Sequence, residues 1–268
     1  MKLVLLAAVS ATMFATPAMA QDTNTTVTTL DGSQGFVAPA GELRAGSSAT
    51  ITSNTSLSAD GSLQLTGERA RVLNGNNYSP DVANSYGLAN DLVSLTGDYL
   101  VINGGNFGIQ SPAFRVYVQD GTVRSELIFE AANNLGYTLG TASSVTAESL
   151  FYQFVAGCGA TFTTPNCGGS GSYVLRTLEA FGNTYSANAF VSAFGVGNGG
   201  GAGTSFSAFA DNLALTTTAG TNSVNFAAAS IAGAVPEPGT WAMMLIGFGA
   251  MGVSLRRRRR TNTLLQAA

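Results

Sequence analysis

The sequence predicts an all-β protein: an antiparallel, jelly-roll-like β-sandwich with an N-terminal signal peptide and a single C-terminal transmembrane helix. Short runs of alternating apolar and polar residues recur through the middle of the chain, and clusters of Gly, Asn, Ser and Asp separate them. Runs of this kind at short intervals are typical of strands joined by turns in sandwiches and barrels. The best helix candidate, residues 83–95, contains Gly87 and interspersed Asn and Ser, which weaken it.

Residues 1–20 have the pattern of a signal peptide. Lys2 supplies the positive start, residues 3–14 form an apolar stretch, and the segment ends in the small-x-small sequence Ala18-Met19-Ala20. We therefore predict export and cleavage by signal peptidase before Gln21. The alternative, a buried N-terminal helix, gives no reason for the Ala-x-Ala ending.

The clearest strand pair is a β-hairpin at the turn signal Asp120-Gly121. Its residues alternate between an apolar set, which we expect in the core, and a polar set, which we expect to face solvent. The apolar set is Phe114, Val116, Val118, Leu127 and Phe129, and the polar set is Arg115, Tyr117, Gln119, Arg124, Glu126 and Glu130. Further strands are predicted at 62–66, 99–103, 149–155, 173–181, 189–196 and 206–215. The sandwich is assigned to residues 21–218, and the Ser/Thr/Ala-rich residues 219–235 to a linker.

The two cysteines, Cys158 and Cys167, are separated by eight residues and bounded by glycines. In an exported protein this spacing predicts a disulfide that closes a loop or hairpin. Two free thiols are the alternative. A metal site is disfavoured, because two more soft ligands would be needed and the chain has no histidine.

The composition argues against nucleic-acid binding and against most enzymatic chemistry. Residues 21–235 contain six arginines and fourteen acidic residues, so this region carries a net negative charge. A negatively charged surface repels the phosphates of nucleic acids. The lack of histidine excludes Ser–His and Cys–His nucleophiles. Glu126 and Glu130 share a strand face but lie about 13 Å apart, too far for a glycosidase pair. We expect no enzyme.

Cofactors are not expected, although aspartates in the predicted loops leave a structural calcium ion open. The loop aspartates are Asp60, Asp81, Asp91, Asp98, Asp120 and Asp211, and the alternative is that they are solvated turn residues. Two matches to G-x-G-x-x-G, at 195–200 and 247–252, are not interpreted as phosphate sites. The first has no amphipathic helix after it, and the second lies within the predicted membrane segment.

Residues 241–255 form an uncharged run of fifteen residues followed by five arginines. As a helix this run spans about 22 Å, which is shorter than the ~30 Å hydrocarbon core of a bilayer. Flanking residues and snorkelling arginines can make up part of the difference. The positive-inside rule places the arginines and the tail 261–268 in the cytoplasm and the sandwich outside. A core or amphipathic helix is the alternative, but the run has no polar face.

Together, residues 236–260 resemble the PEP-CTERM sorting signal in its PEPxxWA form. The matching residues are Pro236, Glu237 and Pro238, then Trp241 and Ala242, then the apolar helix and Arg256, Arg257, Arg258, Arg259 and Arg260. The resemblance implies transient anchoring in the inner membrane and processing by a membrane exosortase near the tripeptide. It also implies a final location at the cell surface or in the extracellular matrix of a Gram-negative bacterium, often in association with exopolysaccharide.

Residues 113–134 and 190–215 resemble, more loosely, the lectin-like sandwich domains of PEP-CTERM proteins. In those domains the last strand ends in Asp-Asn-aliphatic, and Asp211-Asn212-Leu213 matches this pattern. The departure is the lack of tryptophan before Trp241, since many sugar-binding sandwiches stack sugars on that residue. Two functions follow as expectations. The first is a structural or adhesive matrix protein, and the alternative is a carbohydrate-binding surface module.

Overall fold

Thirteen strands run through the part of the first 228 residues that the computed structural model describes, namely 22–39, 41–54, 56–77, 81–155 and 174–228. Contacts divide the chain into this unit and a second one, Ala229–Ala268, of which residues 229, 243–248, 250, 251 and 253 are described. The predicted signal peptide, both cysteines and all ten residues assigned to the sorting motif lie outside the described ranges.

The larger sheet has seven strands in the described part of the chain, arranged around one central strand, β12. One edge of β12 pairs first with β4 and then with β13, and the other edge pairs with β6. All pairs are antiparallel except that of β1 with β13, which is parallel. The strands are β1 (Thr23–Val27), β3 (Ser48–Thr52), β4 (Ser62–Thr66), β6 (Leu92–Asn103), β9 (Ala142–Val145), β12 (Ser207–Thr217) and β13 (Gly220–Phe226).

The smaller sheet is wholly antiparallel in the described residues and contains the predicted hairpin. Its six strands, in spatial order, are β10 (Tyr152–Val155), β8 (Val123–Phe129), β7 (Ala113–Asp120), β11 (Phe190–Gly197), β5 (Arg71–Gly75) and β2 (Phe36–Val37). The register runs from Phe114 opposite Phe129 to Asp120 opposite Val123, so the turn lies at the predicted Asp120-Gly121.

One cluster of buried apolar side chains joins the two sheets face to face. The apolar set predicted from the hairpin belongs to it, and the rings of Phe114 and Phe129 meet edge to face at 6.0 Å. Tyr99 of β6 contacts both rings from the other sheet, at 6.1 Å each. The prediction of an all-β fold with two packed sheets is therefore confirmed.

Two predicted segments differ from the structure. Over the predicted strand 173–181, the structure has a short helix, α1 (Leu178–Gly182), because the Thr177 hydroxyl accepts a hydrogen bond from the backbone N–H of Ala180 and begins the turn. Over the predicted linker 219–235, Gly220–Phe226 forms strand β13. Val224 and Phe226 are buried there, whereas the intervening Thr, Asn and Ser residues make the strand resemble a linker in sequence.

A third correction concerns the polar set of the hairpin. Arg115, Tyr117 and Glu126 were expected to face solvent, but at most 5% of each residue is exposed. They lie on the outer face of the smaller sheet, opposite the core, where Tyr117 packs with Leu73 and Ala193 in a second buried cluster. Alternation correctly assigned these residues to one face. Arg115 and Glu126 are buried together as an ion pair across neighbouring strands, and a pairing of this kind cannot be predicted from alternation.

The second unit contains helical residues at 243–248, 250, 251 and 253, and their apolar side chains are exposed. None of the helices in the described residues has the length and apolar character needed to span a bilayer. The transmembrane helix at 241–255 therefore remains a prediction from sequence.

Candidate functional site

Four arginines and two glutamates converge on the outer face of the smaller sheet, and we call this group the arginine cluster. Four of the six residues lie on the three strands β5, β7 and β8, and the other two lie in the segments before β3 and β5. The members are Arg71 on β5, Arg115 on β7, Arg124 and Glu126 on β8, Glu42 before β3, and Arg69 before β5.

The four guanidinium groups share the two carboxylates. Glu126 accepts a hydrogen bond from Arg115 at 2.8 Å through Oε2 and lies 3.3 Å from Arg124 through Oε1. Glu42 Oε2 accepts from Arg69 at 3.0 and 2.7 Å and lies 3.3 Å from Arg71. Arg71 is also 4.0 Å from Glu126, so the two groups of ion pairs form one network.

Strand β11 forms the floor between Arg71 and Arg115. Its outer face presents Gly195, directly opposite Arg115, and Gly197, directly opposite Arg71. A Cβ atom at Gly197 would lie 2.5 Å from the Cγ atom of Arg71, so the Arg71 side chain rests on this glycine. Of the glycine-rich stretch at 195–200, residues 195–197 thus end strand β11, where Gly195 makes room for Leu73 and Gly197 for Arg71. Asn198, the next residue, bonds to the backbone of Ala70 and Gly67.

Four polar atoms of this face are buried without a hydrogen-bond partner in the described structure. They are Nε of Arg71, Nε of Arg115, Nδ2 of Asn77 and the hydroxyl oxygen of Tyr117. Burial raises the pKa of Tyr117, so its hydroxyl keeps its proton. Burial, and to a lesser extent the neighbouring charge of Arg115, lower the pKa of Arg71.

The cluster is closed at its floor and partly open at its rim. The side chains of Arg115 and Glu42 are 2% and 1% exposed, whereas those of Arg69 and Arg124 are 23% and 21% exposed. The guanidinium of Arg124 also lies 6.0 Å from the ring of Tyr117. Solvent therefore reaches the cluster beside Arg69 and Arg124.

A separate hollow of about 490 Å³ opens at the side of the sandwich near β9. Amides, hydroxyls and one carboxylate line it together with the apolar side chains of Phe129, Leu135 and Leu150, and the hydroxyl of Tyr99, also in the lining, is hydrogen-bonded to Ser143. The side-chain amide of Asn134 forms three hydrogen bonds within the wall of the hollow. Its NH₂ group donates to the carbonyl groups of Glu130 and Leu150, and its oxygen accepts from the N–H of Leu150. The remaining polar lining residues are Asn133, Ser144, Thr146, Glu148 and Ser149.

Asp211 lies where β4 and β13 meet on the same edge of β12. Its Oδ1 accepts hydrogen bonds from the N–H groups of Asn212, at 2.7 Å, and Phe226, at 2.8 Å, and the side chain of Ser58 also interacts with the carboxylate. Burial raises the pKa of Asp211. Asn212, at φ 52°, forms a bulge that lets the carboxylate turn toward β13.

The aspartates considered for calcium are spread over the sandwich. Asp60 bonds to Asn225, Asp98 to Ser144 and Asn212, and Asp120 to Ser186. Within the described ranges, no three Asp, Glu, Cys or His side chains gather in a group that could hold a metal ion.

The arginine cluster was not found by sequence reasoning, although the residues of its hairpin were assigned to the right face. The sequence shows six arginines between residues 21 and 235, but only the structure shows that four of them belong to one cluster. Cys158 and Cys167, outside the described residues, keep their predicted disulfide as a prediction, which intact mass under non-reducing conditions would check.

Comparison with known proteins gives one result. The model of the PEP-CTERM protein-sorting motif matches residues 234–259. No curated protein and no solved structure matches the chain. The chain is therefore a PEP-CTERM domain-containing protein. This motif implies export, anchoring in the membrane by the C-terminus, exosortase-type processing and targeting to the cell surface.

Proposed function

We propose that the protein is a structural or adhesive component of an exopolysaccharide-associated envelope in a Gram-negative bacterium. The observation that carries this proposal is the sorting motif at 234–259, placed after a two-sheet ectodomain. On this reading, signal peptidase removes residues 1–20, the C-terminal helix holds the chain in the inner membrane, and an exosortase then acts near Pro236-Glu237-Pro238.

The chemistry of the ectodomain supports a role that is not enzymatic. The sequence has no histidine. Glu126, which sequence reasoning considered as an acid–base group, is held by ion pairs with Arg115 and Arg124. Asp98 and Asp120 are tied to neighbouring side chains by hydrogen bonds. A general acid or base must be able to exchange a proton with a substrate. These carboxylates are instead held by neighbouring side chains, which suits a structural role.

Fractionation of cells that produce the protein tests this proposal. Antibody detection in the inner membrane, the outer surface and the extracellular matrix should place the mature protein in the last two fractions. Its mass there should lack residues 1–20 and the helix after Pro238. A protein confined to the cytoplasm or periplasm would contradict the proposal.

A carbohydrate-binding module is the second candidate, and the hollow of about 490 Å³ is the observation that favours it. Hydroxyl and amide groups around a partly apolar floor are typical of sites that bind small polar ligands. A glycan array probed with the full-length protein tests this candidate. Binding that is lost in Asn133→Ala with Glu148→Ala, and kept in a variant with Glu179→Ala on α1, would place a glycan in the hollow.

A further inference from the structure

We propose that the arginine cluster is a binding site for a carboxylate anion. If the proposed function also holds, on which this part rests, the carboxylate belongs to an acidic sugar unit of the surrounding polysaccharide. Nothing in the sorting motif bears on this site, because the cluster lies in the ectodomain, on the outer face of β5, β7, β8 and β11.

The unpartnered atoms of the cluster favour an acceptor as ligand. An arginine Nε–H and an asparagine NH₂ group can only donate, and a protonated tyrosine hydroxyl is also able to donate. A buried polar group without a partner destabilises the folded state, because it loses its hydrogen bonds to water and gains none in the protein. Four such groups on one face, of Arg71, Arg115, Asn77 and Tyr117, are therefore most simply satisfied by one ligand with several acceptor oxygens.

The charge of the cluster favours an anion. All fourteen Asp and Glu residues between positions 21 and 235 fall within the described ranges, and only Glu42 and Glu126 among them form ion pairs with Arg69, Arg71, Arg115 and Arg124. Four cations thus share two anions. Charges removed from water need compensation, and a bound carboxylate supplies one further negative charge.

The chemistry of the guanidinium groups favours a carboxylate. Gly197 and Gly195 let the side chains of Arg71 and Leu73 lie close against β11, which holds Arg71 on the same face as Arg115. Guanidinium groups bind carboxylates through two parallel hydrogen bonds. The partly exposed Arg69 and Arg124 form the side from which a ligand can enter.

A purely structural ion network is the competing explanation, and it predicts different behaviour. If the cluster only supports the fold, removing the Tyr117 hydroxyl relieves a buried unpartnered group, and Tyr117→Phe should raise the melting temperature without affecting any ligand. If the hydroxyl donates to a bound anion, Tyr117→Phe should weaken binding instead.

Calorimetric titration of the full-length protein, in detergent at low salt, tests the site. The probes are trigalacturonate, its neutral counterpart galactotriose, sodium acetate and sodium sulfate. We expect trigalacturonate to bind one per chain and galactotriose not to bind. Arg69→Gln and Tyr117→Phe should each lower the affinity about tenfold. Arg44→Gln should leave it unchanged, because Arg44 pairs with Glu68 on the surface outside the cluster.

The outcomes separate the two parts of the proposal. No binding of any anionic probe, or an equal loss in Arg44→Gln and Arg69→Gln variants with unchanged melting temperatures, would overturn the site. Binding of acetate or sulfate with the same dependence on Arg69, but not of trigalacturonate, would overturn the acidic sugar. Since the titration uses purified protein, it is independent of the fractionation that tests the proposed function.

Discussion

Arg115 shows most clearly how far polarity and exposure can diverge in this fold. Its position beside Val116 in an alternating strand places it on the face opposite the core, where a charged residue is ordinarily solvated. The structure places it on that face but leaves it only 2% exposed, against Glu126 and above Gly195. If the guanidinium lost its partner there, the uncompensated buried charge would lower the free energy of unfolding by several kcal/mol.

The substitution Arg115→Asp should therefore destabilise the protein strongly, although the sequence pattern alone predicts it to be nearly neutral. The new carboxylate would lie beside Glu126, leaving two buried like charges, and we expect a loss of roughly 3–5 kcal/mol in the free energy of unfolding. Urea unfolding followed by circular dichroism measures it. The matched variant Arg44→Asp, at an exposed pair, should cost less than about 1 kcal/mol. Similar losses in the two variants would contradict the buried network.

Asp211 makes a pH-dependent contribution of defined sign. Burial raises its pKa in the folded state above the ordinary value of 3.8, so the fold favours the protonated carboxyl. Its contribution to stability is fully present below the unfolded pKa and is lost as pH rises through the folded pKa. Asp211→Asn keeps an acceptor for the N–H groups of Asn212 and Phe226 without the charge.

We therefore expect Asp211→Asn to be at least as stable as the natural protein at pH 7, with the advantage shrinking toward pH 4. Melting temperatures of the two proteins across that range measure the difference, and other acidic groups cancel because both proteins share them. An advantage that grows as pH falls would contradict a raised pKa. Asp211→Ala, which removes the acceptor, serves as the control and should be less stable throughout.

At the scale of elements, the hairpin β7–β8 could be predicted in register, whereas β13 could not. The hairpin carries apolar residues at every second position on both sides of Asp120-Gly121, so local pattern and turn chemistry agree. Only Val224 and Phe226 mark β13 as buried, and its other residues suit a linker equally well. This segment becomes a strand because it pairs with β12 on one side and with β1 on the other. Strand β1 lies near the start of the chain, so the pairing is not visible in the local sequence.

The same reasoning explains why the fold class was predictable and the arginine cluster was not. Alternation and turn residues are local properties, and they indicate strands wherever each strand has one apolar face. The cluster depends on Arg71, Arg115 and Glu42 meeting across strands that are distant in sequence. No local pattern carries that pairing, and the glycines that allow it, Gly195 and Gly197, read only as weak strand residues.

The position of the domain end can be tested by truncation. A chain that stops after residue 218, the boundary predicted from sequence, lacks β13 and the ring of Phe226, which meets Phe36 at 5.1 Å in the core. We expect it not to fold, whereas a chain that stops after residue 229 should fold. Resistance to limited proteolysis and near-ultraviolet circular dichroism distinguish the two. A protease-resistant 218-residue chain would show that β13 is dispensable.

At the scale of the whole molecule, the sorting motif makes a direct prediction about processing. Replacing Pro236-Glu237-Pro238 by three alanines should leave full-length protein in the inner membrane, because the recognition sequence is gone while the apolar helix and the five arginines remain. The C-terminal mass of protein from the inner membrane and the cell surface measures the effect. Thr240→Ala, between the tripeptide and Trp241, is the matched control and should be processed normally. Natural surface protein that still contains Trp241 to Arg260 would contradict exosortase-type processing.

The central place of β12 has a consequence for the timing of secretion. Strand β12 pairs with β4, β6 and β13, and β1 finds its partner only in β13. A polypeptide that crosses the membrane amino end first cannot close this sheet until residue 226, the end of β13, has emerged. All strands of the smaller sheet emerge earlier, but the core between the two sheets stays open until β12 and β13 follow. The fold thus completes itself only when export is nearly finished, just as the sorting signal reaches the membrane.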